Sequence, residues 1–314
     1  AGQAVASALL LMPMLMPPFV GALGMKMLFA RGGALSTLLM RLQLVDGPVD
    51  WLGRFPLLGI IVLEVLHLFP ILYLNLTAAF ANIDPSLEES ARNLGASPWR
   101  VFRRITLPLA APGLFAGVVL VFIWAFTELG TPLVFGVRRV VPVMIFDAVS
   151  EMGTNPMGYA QVVLLLAVTA VGFLLTKRMT AKRRNVATLG RLNVTAAEQR
   201  LGPVGTALTW VALGVVIFVA VLPHISVLFL ASSRRWFLTI LPEGFTLEFF
   251  GRALSSELTQ NALQNSLMLS VAALLLNMLV GFGIAWLCVR RRIPGGDALD
   301  ALAMAPLAVP GVVM

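Results

Sequence analysis

The chain has 314 residues, of which 59% are hydrophobic and 12% are charged, and its formal net charge is +8. Soluble domains average about 25% charged residues, so this composition excludes an ordinary soluble domain and indicates a membrane protein. The positive charge does not indicate nucleic-acid binding, because the basic residues lie between apolar segments instead of forming one patch. The single cysteine, Cys288, excludes an intrachain disulfide and a cysteine-based metal cluster.

Seven apolar segments approach or exceed the roughly 20 residues that a membrane-spanning helix requires. We therefore predict an all-α fold, a polytopic transmembrane helical bundle with about seven spans. The first segment contains Pro13, Pro17 and Pro18, and we expect a kinked or interrupted helix there because proline lacks a backbone N–H. The predicted spans lie at about 4–29, 57–81, 111–130, 158–176, 207–230, 261–289 and 298–314.

Basic residues predict the orientation of these spans. Three loops carry Lys and Arg at about twice the density of the other three, and cytoplasmic loops are enriched in both residues. We therefore place the basic-rich set in the cytoplasm, although Arg138-Arg139 and Arg234-Arg235 lie in the other set. The predicted cytoplasmic loops are 82–110, 177–206 and 290–297, and the predicted external loops are 24–56, 130–157 and 231–260.

The first cytoplasmic loop contains the signals for two short helices. Asp84-Pro85 begins one of them, since Asp can cap the free amides and Pro suits the first helical position. Gly95 ends it, because glycine readily takes the left-handed conformation that follows a last helical turn. Ser97-Pro98 begins the second helix by the same logic.

The predicted first helix carries a narrow apolar stripe of Leu87, Ala91 and Leu94, which recur at i, i+4 and i+7. The second helix carries a basic face that includes Arg100. By helix signals alone, the loop could equally be an ordinary amphipathic segment at the membrane interface.

The spacing of the whole loop narrows this choice. Glu89, Ala91 and Gly95, then nine intervening residues, then Ile105 and Leu107-Pro108, resemble the EAA loop of ABC-importer permeases. Ser90 departs from the family pattern, which usually has Ala there. In that family the loop docks on a cytoplasmic ATPase and passes its motion to the membrane helices. The resemblance therefore implies an ATPase-docking set made of Leu87, Glu89, Ala91, Leu94, Gly95, Arg100, Ile105, Leu107 and Pro108.

The resemblance implies a type I ABC importer permease core in the inner membrane, acting as the translocation pathway and not as a catalyst. The implied partners are a cytoplasmic ABC ATPase dimer, a periplasmic substrate-binding protein and the lipid bilayer. The chain has no phosphate-binding loop of the Gly-x-x-x-x-Gly-Lys-Ser/Thr type, so the partner ATPase is expected to bind the ATP. We expect no cofactor, catalytic residue or metal ligand in the chain itself.

A similarity between two segments of the chain predicts its domain organisation. Residues 302–314, LAMAPLAVPGVVM, match 9–21, LLLMPMLMPPFVG, in the placement of two prolines. Chance could produce this match, but a tandem duplication would also explain it. The chain would then be a fragment of a permease with two fused halves, and a second EAA loop would follow Met314. The expected parts are 1–180 from the first half, 181–206 as a cytoplasmic linker and 207–314 from the second half.

The segment at 126–136, FTELGTPLVFG, resembles the sequence that follows the EAA loop in the fused ferric-iron and thiamine permeases. The resemblance implies ferric iron as the substrate.

Ionisable residues inside the predicted spans are candidates for the translocation path, because burying a charge in a membrane is costly. Glu64 and His67 lie three residues apart, and could line the path, pair with each other, or make a packing hydrogen bond. Glu128 near the end of the third span could form an outer gate or be solvated. His224 follows Pro223, and we expect it at the membrane interface.

Two other classes of function fit parts of the sequence. An ion-gradient-driven secondary transporter would use intramembrane carboxylates. Glu64 and Glu128 alone offer little support for this class. A membrane scaffold for a partner complex would also present an exposed loop with two helices. Co-purification with an ATP-hydrolysing partner would separate the importer from both alternatives.

Overall fold

The computed structural model describes residues 2–148, 156–187 and 202–291, together with 294–296, 299, 302 and 303. The described part is almost entirely helical, which confirms the predicted all-α membrane fold. The helices are α1 Gly2–Leu11, α2 Pro18–Phe29, α3 Ala34–Arg41, α4 Trp51–Arg54, α5 Pro56–Ala81, α6 Pro85–Asn93, α7 Pro98–Val101, α8 Leu107–Phe126, α9 Gly130–Phe135, α10 Val141–Ala148, α11 Met157–Ala187, α12 Pro203–Ala231, α13 Glu248–Ser255 and α14 Glu257–Ala285.

Four helical stretches of the described residues are long and apolar enough to cross a bilayer. They are Pro56–Ala81, Pro98–Phe126, Pro203–Ala231 and Glu257–Cys288, and they match four of the predicted spans. The apolar part of α11, Met157–Gly172, is shorter. The predicted span at 298–314 and most of the predicted linker at 181–206 lie outside the described residues.

The predicted proline break in the first apolar segment is confirmed. α1 ends at Leu11, a 3-10 turn covers Met12–Leu15, and α2 begins at Pro18 after an extended Pro17. The two arms of this segment are bent by 94° and together count as a possible fifth span. Proline cannot donate the intrahelical hydrogen bond and its ring clashes with the preceding turn, so three prolines within six residues prevent a continuous helix.

The core is built by close helix pairs around α5. α5 packs along α8, where small residues allow the backbones to approach. A Cβ added at Gly113 would lie 2.5 Å from the Ala79 Cβ, and one added at Gly117 would lie 2.9 Å from a Leu72 methyl. These two glycines therefore set the α5–α8 distance, as small residues commonly do between membrane helices.

The helices before and after residue 200 also contact each other, because α12 packs along α2. The contact depends on Gly24, where an added Cβ would lie only 2.2 Å from the Pro223 backbone oxygen. α12 begins the region for which the sequence predicts a second permease half, and it contacts α2 in the region predicted as the first half.

The remaining elements surround this core. A two-stranded antiparallel hairpin, β1 Ser233–Arg235 and β2 Glu243–Phe245, follows α12 and was not predicted. The residues of α14 are all described, and none of them is buried. Its apolar surface is therefore open to lipid or to other protein segments.

We expect Gly24→Ala to lower the thermal unfolding midpoint of the purified protein, because the new methyl group would force α2 away from Pro223. Overpacking of this kind costs about 1–3 kcal/mol. Gly214→Ala is the matched control, since it lies on α12 with no atom within 4 Å of the added Cβ. A Gly24→Ala midpoint equal to that of Gly214→Ala would contradict the close α2–α12 contact.

Candidate functional site

The first helix of the predicted docking loop begins as its sequence requires. α6 starts at Pro85, and the carboxylate of Asp84 accepts a hydrogen bond from the Ser86 N–H at 2.9 Å. This hydrogen bond holds the pKa of Asp84 below its ordinary value. The carboxylate therefore remains charged at the positive end of the helix dipole.

The same helix ends at a glycine elbow. Gly95 has a φ of +81°, a conformation that favours glycine over residues with a Cβ. The Ala96 N–H donates to the Ala91 carbonyl at 3.0 Å, and the Gly95 N–H donates to the Arg92 carbonyl at 2.9 Å. These two bonds form a Schellman motif, which closes a helix and turns the chain away from its axis.

The second helix differs from the prediction of a separate short helix. Ser97 precedes it and Pro98 begins it as expected, but α7 continues through a π-helical turn at Phe102–Thr106 directly into α8. The helix widens just before Pro108, and this relieves the clash of the proline ring with the preceding turn. The second half of the loop is therefore the extension of a membrane span.

The predicted apolar stripe on α6 faces solvent. Leu94 is 89% exposed and Leu87 is 47% exposed, while Ala91 between them is half-buried. Trp99 on α7 is 68% exposed and stacks on Phe102, with ring centroids 5.6 Å apart. We call the exposed side chains of Leu87, Glu89, Leu94 and Trp99 the docking face; Trp99 was not assigned to this surface from the sequence.

The other predicted docking residues occupy different places. Arg100 is exposed on α7. Ile105 and Leu107 are half-buried and Pro108 is exposed. These three residues lie where the π turn runs into α8. Their spacing in the loop pattern therefore coincides with the junction between loop and span.

Adjacent glutamates of α6 have different surroundings. Glu89, which matches the family pattern, is exposed. Glu88 is the residue that braces the loop: the Thr106 hydroxyl donates to its Oε1 at 2.5 Å, and its Oε2 lies 3.3 Å from the Arg92 guanidinium. The i, i+4 spacing of Glu88 and Arg92 could have predicted the ion pair. No sequence signal points to Thr106, which is 18 residues away.

A second group of candidate residues surrounds the break before α2. His67 on α5 is buried, and its Nδ1 lies 2.9 Å from the Pro13 carbonyl oxygen. A carbonyl oxygen only accepts, so Nδ1 donates in this contact. Glu64, one turn earlier, is also buried, and its Oε1 has no hydrogen-bond partner among the described residues. Those residues include no ion pair between Glu64 and His67.

His224 belongs to the same group, and its burial between helices was not predicted from the sequence. The residue is buried inside α12 and lines one small cavity together with His67. Pro223 beside it is packed against α2 through Gly24, and this packing draws His224 into the core.

Glu128 has a local partner at the end of α8. Its Oε1 accepts hydrogen bonds from the Thr131 N–H at 3.1 Å and from the Thr131 hydroxyl at 3.4 Å. Glu128 is half-buried, and a Cβ added at Gly130 would lie 3.2 Å from its Oε1 and 2.7 Å from the Cβ of Phe19 on α2. Glu128 therefore lies beside α2, and we call Glu64, His67, Glu128 and His224, the ionisable residues around the break, the acidic–imidazole cluster.

The cluster contains only carboxyl and imidazole side chains. It offers carboxylates and imidazoles, and the described residues include no buried Lys or Arg. The described residues also contain no group of three His, Cys, Asp or Glu placed to hold a metal ion together.

Comparison with known proteins identifies the family. The sequence profile described as binding-protein-dependent transport system inner membrane component matches residues 2–185, which is more than half of the chain. The match includes the docking loop and the cluster residues on α5 and in the α8–α9 region.

Two kinds of relatives are similar to the chain. A putative ferric transport system permease protein of Haemophilus influenzae, FbpB 1, is 25% identical over 96% of this chain and 48% of its own length. A ferric transport system permease protein of Actinobacillus pleuropneumoniae is 26% identical over 96% of this chain and 44% of its own. The molybdenum transport system permease protein ModB of Escherichia coli K12 is 27% identical over 56% of this chain and 76% of its own. The chain thus spans about half the length of the ferric relatives.

We expect His67→Leu to lower the thermal unfolding midpoint, because it leaves the Pro13 carbonyl without its imidazole donor in a buried site. An unsatisfied buried acceptor costs about 1–3 kcal/mol. His67→Asn is the matched control, since the Asn amide can place a donor near the position of Nδ1. Equal midpoints for the two variants would contradict a role of the hydrogen bond in holding the break.

Proposed function

This chain belongs to the family of binding-protein-dependent transport system inner membrane components, and we propose that it forms the membrane-spanning pathway of an ATP-driven importer. A periplasmic binding protein delivers the substrate to its outer face. A dimer of cytoplasmic ATPase subunits binds the docking face and closes on ATP. The chain acts as a transport subunit, and ATP hydrolysis takes place in the partner.

One observation carries this proposal: α6 presents exposed apolar side chains on a helix that ends at a left-handed glycine. Exposed Leu94 and Trp99 lie close in sequence to charged Glu89 and Arg100. Burial of large apolar side chains with a charged rim is typical of protein–protein interfaces. Trp99 of this surface lies on α7, which continues into the span α8, so a partner that moves it also moves the membrane helices.

Ferric iron is the substrate that the chemistry of the path favours. The acidic–imidazole cluster offers oxygen and nitrogen groups that attract a cation. An oxyanion such as molybdate would find no buried Lys or Arg among the residues whose burial the structure describes. The length of the matches agrees, since the ferric relatives align with 96% of this chain and the E. coli molybdenum relative with 56%.

The glycine elbow provides the test of ATPase docking. Gly95→Val should disfavour the left-handed backbone by about 1–2 kcal/mol and so tilt the docking face. The effect would come from the backbone and not from a clash, because no atom lies within 4 Å of an added Cβ. We expect normal membrane insertion but weaker ATPase association and loss of substrate-stimulated ATP hydrolysis. Glu89→Lys should have the same effect by reversing a charge on the docking face.

The control is Gly95→Asn, because Asn tolerates the left-handed conformation, and it should retain most of the stimulation. The assay measures ATP hydrolysis by the reconstituted complex with binding protein loaded with ferric iron or with molybdate. Stimulation of Gly95→Val equal to that of the parent protein would contradict ATPase docking by this loop. Stimulation by molybdate and not by ferric iron would contradict the substrate assignment alone.

A further inference from the structure

α6, which we call the docking helix, is connected to the α8 span in two ways. One is the backbone elbow at Gly95, whose left-handed conformation turns the chain between α6 and α7. The other is a side-chain contact that bypasses the elbow: Glu88 of α6 accepts a hydrogen bond from Thr106, which lies immediately before α8.

The geometry of this contact is that of a strong hydrogen bond. The Thr106 Oγ1 and the Glu88 Oε1 are 2.5 Å apart, at the short end of the range for a hydroxyl donating to a carboxylate. The Glu88 side chain is only 24% exposed, and its second oxygen pairs with Arg92. Partial burial and two partners fix the carboxylate in one position, so movement of α6 is passed to the residue that it holds.

The position of Thr106 connects this contact to the α8 span. Thr106 is the last residue of the π-helical turn, and the Leu107 N–H bonds back to the Phe102 carbonyl across the widened turn. Such turns are often found at functional sites in helices. A pull on Thr106 therefore acts on a locally widened stretch of helix at the base of a span.

The surroundings leave room for movement. A cleft of about 540 Å³ separates the end of α5 from α6 and the π turn, and Glu88 and Thr106 form part of its wall. α6 packs mainly on α7 and on the π turn. The docking helix can therefore shift relative to α5 while the contact to Thr106 is kept.

We infer that Glu88 and Thr106 form a latch that carries the motion of the docking helix into the α8 span through the π turn. Glu88 and Thr106 are positioning residues: they touch neither ATP nor substrate and act through the helix that they connect. The inference rests on the proposed function, because it assumes that an ATPase moves α6.

Thr106→Val tests the latch, since it removes the hydroxyl and keeps the shape of the side chain. In the complex of the full-length permease with its ATPase, reconstituted in proteoliposomes, we expect unchanged ATPase association and unchanged basal hydrolysis. Stimulation by binding protein loaded with ferric iron should fall at least about fivefold, as the loss of a hydrogen bond to a charged group allows. Thr106→Ser keeps the hydroxyl and should restore stimulation.

A double-mutant cycle separates the latch from independent effects. Glu88→Ala should also reduce stimulation, and Glu88→Ala combined with Thr106→Val should be no worse than the more severe single variant, because both remove one contact. Stimulation of Thr106→Val equal to that of the parent, or additive losses in the double variant, would overturn the latch. Loss of ATPase association in Thr106→Val would also overturn it, since the contact would then only maintain the loop structure. If the parent protein itself fails to bind the ATPase, the proposed function fails instead.

Discussion

Water is missing from the interior of a bilayer, so every backbone polar group there must find a partner within the protein. The proline break between α1 and α2 is where this constraint is hardest to meet. The Pro13 carbonyl meets it through the imidazole of His67 on α5. Gly24 then lets α2 approach α12 closely enough for Pro223 and His224 to enter the core. The break therefore helps to assemble the acidic–imidazole cluster. α5 contributes His67 to the Pro13 carbonyl, and α12 packs on α2 and brings His224 close by.

The docking loop solves a different problem, because it must present an apolar surface outside the bilayer without collapsing onto the protein. The Schellman motif at Gly95 ends α6 and directs the chain into α7, which leaves Leu87 and Leu94 exposed. α7, which carries Trp99 of the docking face, then continues into the span α8 without a break. The same loop thus combines an exposed docking face with a stiff connection to the membrane.

The sequence predicted the elements whose causes are local. Prolines predicted the break, apolar length predicted the spans that the structure describes, and Asp84-Pro85 and Gly95 predicted the two ends of α6. Features that depend on distant contacts were not predicted. His224 is buried because α12 packs on α2, a contact between residues about 200 positions apart. Glu88 braces the loop because Thr106, 18 residues away, reaches it from the next helix. The π turn also escaped prediction, since it depends on how the helix adjusts to Pro108.

We propose that the face formed by Leu87, Glu89, Leu94 and Trp99 binds a cytoplasmic ATPase. Photo-crosslinking tests it most directly, with a benzophenone amino acid placed at position 94, where the leucine is 89% exposed, and separately at position 241, where Leu241 is 65% exposed in a predicted external loop. We predict a crosslink from position 94 to the ATPase in membranes and none from position 241. A protein that inserts normally but gives no ATPase crosslink from position 94, or equal crosslinks from both positions, would contradict the account.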